Sequence, residues 1–188
     1  MLDSSGGRLA EEVGVTLCEC VSKSYEEQAY PRGIISDDTA GSRESIMAEW
    51  FYLDAFLIDY SAFQALGNTP KKAALLDVFW ISIRRWLGEK EVTALPERVW
   101  LIGGKLQTIE AEPIETAFLR LRRRAAIYME ALKTPHQYGP NYNVGLTFAC
   151  LCGTTDIASV LGVAEFCAEK QTGLVRMLNS LQVGDLEI

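Results

Sequence analysis

Residues 43–66 read RESIMAEWFYLDAFLIDYSAFQAL, and the reading of this stretch decides the fold. Within it the apolar run from Ile46 to Leu66 has the length of a membrane span, but Glu49, Asp54 and Asp59 interrupt it, and one acid at a bilayer centre costs about 2.5 to 3.5 kcal/mol on the most lenient scale. Its apolar residues, from Ile46 and Trp50 through Leu53, Phe56 and Leu57 to Phe63, point in every direction around a helix. That pattern belongs to a helix surrounded by protein rather than to one with a wet face. Ser42 suits the N-cap, where its hydroxyl accepts an orphan backbone N–H, and Gly67 suits the exit.

Outward from this helix the chain reads as more helix. Thr69 and Pro70 form an N-cap and first-turn pair for a helix carrying Leu76, Phe79, Ile83 and Trp86, and the short link makes it an antiparallel hairpin with 43–66. Upstream, Leu9, Val13, Leu17 and Cys20 recur at helical spacing, predicting a helix over about 9–27. Residues 30–42 collect turn formers and read as a loop. Downstream, Pro113 opens a helix with Ile114, Phe118, Leu121, Ala125, Tyr128 and Leu132 on one narrow stripe, stopped by Pro135. A loop spans 134–143, the apolar run 144–152 is too short to type, and a last helix starts from Thr155 as N-cap, with Gly162 and Gly173 as the two points where it can split.

Residues 96–110 are ambiguous. Gly103 and Gly104 between apolar runs suit a hairpin, but Leu95, Val99, Ile102, Leu106 and Ile109 keep a 4-3-4-3 spacing, and helix is the expectation. The whole predicts an all-α fold: residues 1–188 as a single-domain helical bundle of six to eight helices around the central hydrophobic helix 43–66.

Charge and cysteine usage narrow the function classes. Eighteen Lys and Arg against 25 Asp and Glu give a net charge of -7, which disfavours nucleic acid and anionic membrane surfaces as partners. Five cysteines, Cys18, Cys20, Cys150, Cys152 and Cys167, with a polar N-terminus, predict reduced, buried thiols and a cytoplasmic location. Residues two apart on a helix diverge by about 200°, so neither Cys-x-Cys pair chelates one ion; neither metal nor cofactor is expected.

The acids of helix 43–66 are the candidate chemistry. Successive acids five residues apart advance by about 140° net, so Glu49, Asp54 and Asp59 point in three directions and cannot share one solvent face. A carboxylate buried by such a helix needs a cation, a metal or hydrogen-bond donors. Arg120, Arg122, Arg123 and Arg124 form the one dense basic cluster, with no acid three or four residues away, and suit pairing with other helices or an anion clamp. His136 and Tyr138 in the loop 134–143, and Arg32, Asp37 and Asp38 in 30–42, are polar-aromatic groups of the kind that line ligand sites.

Two functions follow as expectations. The first is a non-enzymatic helical protein that self-associates as a homo-oligomer or holds a small-molecule ligand, since four Trp, seven Tyr and seven Phe exceed what one modest core needs. The second is a small enzyme whose buried carboxylates act, with a divalent cation, on an anionic substrate clamped by Arg120, Arg123 and Arg124. The second requires two or more of Glu49, Asp54, Asp59, Asp77 and Asp156 to converge on one arginine-facing pocket.

Overall fold

The computed structural model describes residues 4–27, 33–35, 41–89, 97–101, 105–109 and 114–185. The fold is all-α. Among the described residues the helices are α1 (Ser4–Glu26), α2 (Arg43–Leu66), α3 (Pro70–Glu89), α4 (Ile114–Lys133), α5 (Pro140–Leu151) and α6 (Ile157–Asp185). One two-stranded ribbon, β1 (Glu97–Leu101) and β2 (Lys105–Ile109), lies between α3 and α4 in sequence.

The start signals expected for α2 and α3 are in place. Ser42 Oγ accepts the Ser45 N–H at 3.2 Å, and the Gly67 N–H, at φ 63°, donates to the Phe63 carbonyl at 2.8 Å. Thr69 Oγ1 accepts the Lys72 N–H at 3.3 Å, one residue before Pro70 opens α3. These bonds satisfy helix ends that would otherwise leave backbone groups orphaned.

The central position of α2 is observed directly: from Ser45 to Ala62 no residue is exposed. One side carries Phe51, Ala55, Ile58 and Ala62 into a core shared with Leu17 and Val21 of α1 and with Leu75, Phe79 and Ile83 of α3. The other carries Trp50, Leu53, Phe56 and Leu57 into a second core with Tyr128 of α4, Phe148 of α5 and Val163 of α6. Burying Trp50, Phe51, Leu53, Phe56, Leu57 and Ile58 contributes about 1.5 to 3 kcal/mol each, so packing on both faces, not its acids, holds this helix in place.

Four expectations are corrected. Residues 97–101 and 105–109 form an antiparallel ribbon pairing Glu97 with Ile109 and Leu101 with Lys105, not a helix. Two adjacent glycines, Gly103 and Gly104, would cost about 2 kcal/mol in a helix, and Val99, Trp100 and Thr108 favour extended backbone. The untyped run 144–152 belongs to α5, which starts earlier, at Pro140, and shortens the loop before it. The helix α6 is unbroken through Gly162 and Gly173. Its N-cap is Asp156 rather than Thr155: Asp156 Oδ1 accepts the Ala158 and Ser159 N–H groups at 2.9 and 3.0 Å. Carboxylates bond the exposed amides and also favour the positive end of the helix dipole, which decides the competition between neighbours.

Candidate functional site

The three acids of α2 do point in three directions, and each meets a different neighbour. Glu49 enters the interface with α4. Its Oε1 accepts the Tyr128 hydroxyl at 2.5 Å, and its Oε2 lies 3.1 Å from Arg124 Nε. All three groups are buried, Tyr128 completely. Burial, then the Glu49 charge, holds the Tyr128 hydroxyl far above the usual phenol range, so it donates and does not ionise. Arg120, Arg124 and Tyr128 recur every four residues on the buried face of α4, beside Leu121 and Leu132.

Asp54 is completely buried and forms an ion pair with Lys170 of α6. Burial raises its carboxyl above the usual range, and the lysine pulls it part of the way back. The ammonium also lies 5.6 Å from the Phe166 ring centroid, in cation–π range. Asp59, half-buried, faces Trp80 of α3 and the Arg122 charge; burial raises its carboxyl, with Arg122, Trp80 and Lys72 opposing the rise.

The remaining sequence candidates are placed elsewhere. Asp77 is exposed on α3, and Asp156 caps α6, its Oδ2 also bonding the Ser159 hydroxyl. Arg122 and Arg123 are exposed on α4, Arg122 lying 5.3 Å from the Trp80 ring centroid. His136 stacks on Tyr142 at 4.2 Å and accepts the Tyr138 N–H on Nδ1 at 3.2 Å, while Tyr138 is 66 % exposed. Asn143 in the first turn of α5 donates to the Thr134 carbonyl at 2.6 Å in the preceding loop, and Gln171 of α6 donates to Asn141 of α5, so the polar groups of 134–143 largely meet neighbouring protein. Arg32, Asp37 and Asp38 lie outside the described residues.

The expectation of five buried thiols is corrected in part. Cys20 is exposed and Cys150 half-buried, because both fall on the outer flanks of their helices; Cys18, Cys152 and Cys167 are buried. Burial pushes Cys167 up to about 12, with Asp54 adding to the rise, and Cys18 up to about 11. Among the described residues no group of three or more His, Cys, Asp or Glu is placed to hold a metal ion.

Tyr128 and Lys170 are the partners that sequence reasoning missed. Arg120, Arg124 and Tyr128 at four-residue intervals, on a helix whose apolar stripe is narrow, signal a polar face turned inward. Lys170 occupies a core position in the run Val160, Val163, Cys167, Leu174, Leu178 of α6, the place where a buried acid's cation is to be sought.

Chemically, the arrangement holds protons and charges rather than offering them. The Glu49 cluster has no solvent-facing reactive group, and the Asp54 carboxylate is closed off by its lysine. No helix among the described residues is long and apolar enough to cross a membrane. Comparison with known proteins adds no relative: no family model matches the chain, and neither does any curated protein or solved structure.

Proposed function

We propose that this chain is a non-enzymatic helical interaction protein that works as an assembly of its own copies. The observation that carries this reading is the dispersal of the α2 acids. Glu49, Asp54 and Asp59 each go to a different helix and each meets its own donor or cation, so the convergence that acid–base or cation chemistry needs is missing. The surface also carries large apolar side chains: Ile81, Leu119, Ile157 and Leu161 are 50 to 60 % exposed, on α3, α4 and α6. Apolar side chains on several helices of a tightly packed bundle are what a partner surface offers.

The test is the mass in solution. Size-exclusion chromatography with light scattering across the micromolar range is expected to report an oligomer that dissociates on dilution. A compact monomer throughout that range removes the reading.

A further inference from the structure

The charges of this protein are segregated on one face. The helix α3 lies between α1 and α4: Gly14 of α1 closes on Leu75, Val78 and Phe79, while Trp80 meets the Phe118 ring at 6.0 Å and the Arg122 guanidinium at 5.3 Å. With those flanks fixed, helical periodicity turns Val15 of α1, Ile81 of α3 and Leu119 of α4 to the same outer side of the three-helix layer. All three are exposed, at 41 %, 60 % and 52 %.

Each is ringed by charge of one dominant sign. Val15 has Glu11 and Glu12 one turn before it and Glu19 one turn after, all exposed. Ile81 has Arg84 and Arg85 three and four residues on, and Leu119 has Arg122 and Arg123 at the same two spacings; all four arginines are exposed. Among the residues of α3 and α4 whose side chains the structure describes, the exposed acids are Asp77 and Glu130, and Glu130 bonds Lys133 at 2.9 Å. In a chain of net charge -7, one edge of this face is therefore acidic and the other basic, each built around an apolar anchor.

We propose that two copies of the chain associate face to face, the acid-ringed Val15 of each seated on the arginine-ringed Ile81 and Leu119 of the other. A two-fold axis between the copies brings both acid–base contacts together at once, the self-complementary arrangement that closes a dimer. The apolar anchors supply contact area, and the opposed charges set register and exclude wrong pairings. The same charges overcome the mutual repulsion of two acidic proteins, because they place the basic edge of each copy against the acidic edge of its partner.

This surface rests on the self-association proposed above, and charge reversal separates the two. Light scattering at micromolar concentration is applied to the full chain, to Arg85→Glu/Arg123→Glu, to Glu11→Lys/Glu19→Lys, and to an equimolar mixture of the two variants. Circular dichroism confirms that each variant is folded. The full chain is expected to be dimeric, with association weakened at least about tenfold by high salt. Each variant alone is expected to be monomeric, and the mixture to recover the dimer, because a predominantly acidic face then meets a predominantly basic one. A full chain that is monomeric overturns the self-association itself. A dimer that survives both reversals, or a mixture that stays monomeric, overturns this surface while leaving self-association standing.

Discussion

Among the described glycines, Gly145 of the helix pair α5–α6 leaves the least room for a side chain, and replacing it with alanine measures how rigid that approach is. A Cβ at Gly145 of α5 would come within 3.0 Å of the Val160 carbonyl oxygen and to 3.1 Å of the Ala164 nitrogen, both backbone atoms of α6. Backbone cannot swing aside as a side chain does, so α6 must retreat by roughly 1 Å along a well-packed seam. Overpacking of this kind costs about 1 to 3 kcal/mol, and a contact with two backbone atoms of the facing helix belongs at the upper end. Against it stands the better helix propensity of alanine, about 1 kcal/mol in the middle of α5. The net expectation is a loss of about 2 kcal/mol, or a fall of about 4 to 8 °C in Tm for a chain of this size. Gly173 supplies the internal control, being exposed on α6 with nothing within 4 Å of its built Cβ. There the propensity gain acts alone, so Gly173→Ala is expected to raise stability by up to about 1 kcal/mol. Urea denaturation followed by circular dichroism reads both. If Gly145→Ala unfolds at the same urea concentration as the parent or a higher one, the α5–α6 seam yields and the steric argument is wrong.

The buried polar groups carry four further expectations. Tyr128→Phe removes the hydroxyl that donates to the buried Glu49 carboxylate and is expected to cost about 1.5 to 3 kcal/mol in chemical denaturation; a neutral result would mean that the carboxylate has found an equal donor. Lys170→Met strands the Asp54 charge and is expected to cost about 3 to 5 kcal/mol, most of it regained on adding Asp54→Leu, since a matched apolar pair replaces a buried ion pair well; a double variant no better than the single one contradicts this. Asp54 is raised above its ordinary value of 3.8, so above pH 3.8 the folded state holds more protons than the unfolded state; its contribution therefore shrinks as pH climbs from there, and the stability difference between the parent and Asp54→Asn should drift with the same sign from about pH 4 upward. A thiol reagent applied to native protein is expected to label Cys20 first and Cys150 more slowly, leaving Cys18, Cys152 and Cys167 until unfolding; early modification of Cys167 would show that α6 opens readily.

The fold was legible where one residue type forces one geometry. Ser42, Gly67 and the Thr69–Pro70 pair fix helix ends by satisfying or lacking particular backbone groups, and their predicted positions match the observed ones. The all-round apolar character of 43–66 likewise admits one environment, and α2 has it. Reading failed where two geometries share a pattern. The spacing of Val99, Ile102, Leu106 and Ile109 fits a helix face, yet over so short a span chain pairing competes with it, and Gly103 with Gly104 tips the balance toward the ribbon. Thr155 and Asp156 are both N-cap residues one position apart, and only the observed bonds to Ala158 and Ser159 decide between them.

The candidate site divides along the same line. The 140° advance between Glu49, Asp54 and Asp59 follows from the helical period, so their divergence was fixed once the helix was. Which group answers each acid depends on how five other helices are set around α2, and that is a property of the whole packing. The answers nevertheless obey a local rule. Arg124, Tyr128 and Lys170 each stand on the apolar stripe of their own helix, where a polar residue is affordable only if a partner waits across the interface. A charged residue at a core position of one predicted helix and an acid on a fully buried helix are thus two halves of one contact. Pairing them by this criterion links Asp54 to Lys170 and Glu49 to Arg124 and Tyr128, and it leaves the exposed Arg85 and Arg123, whose positions no core demands, as the charges free to serve an encounter outside the fold.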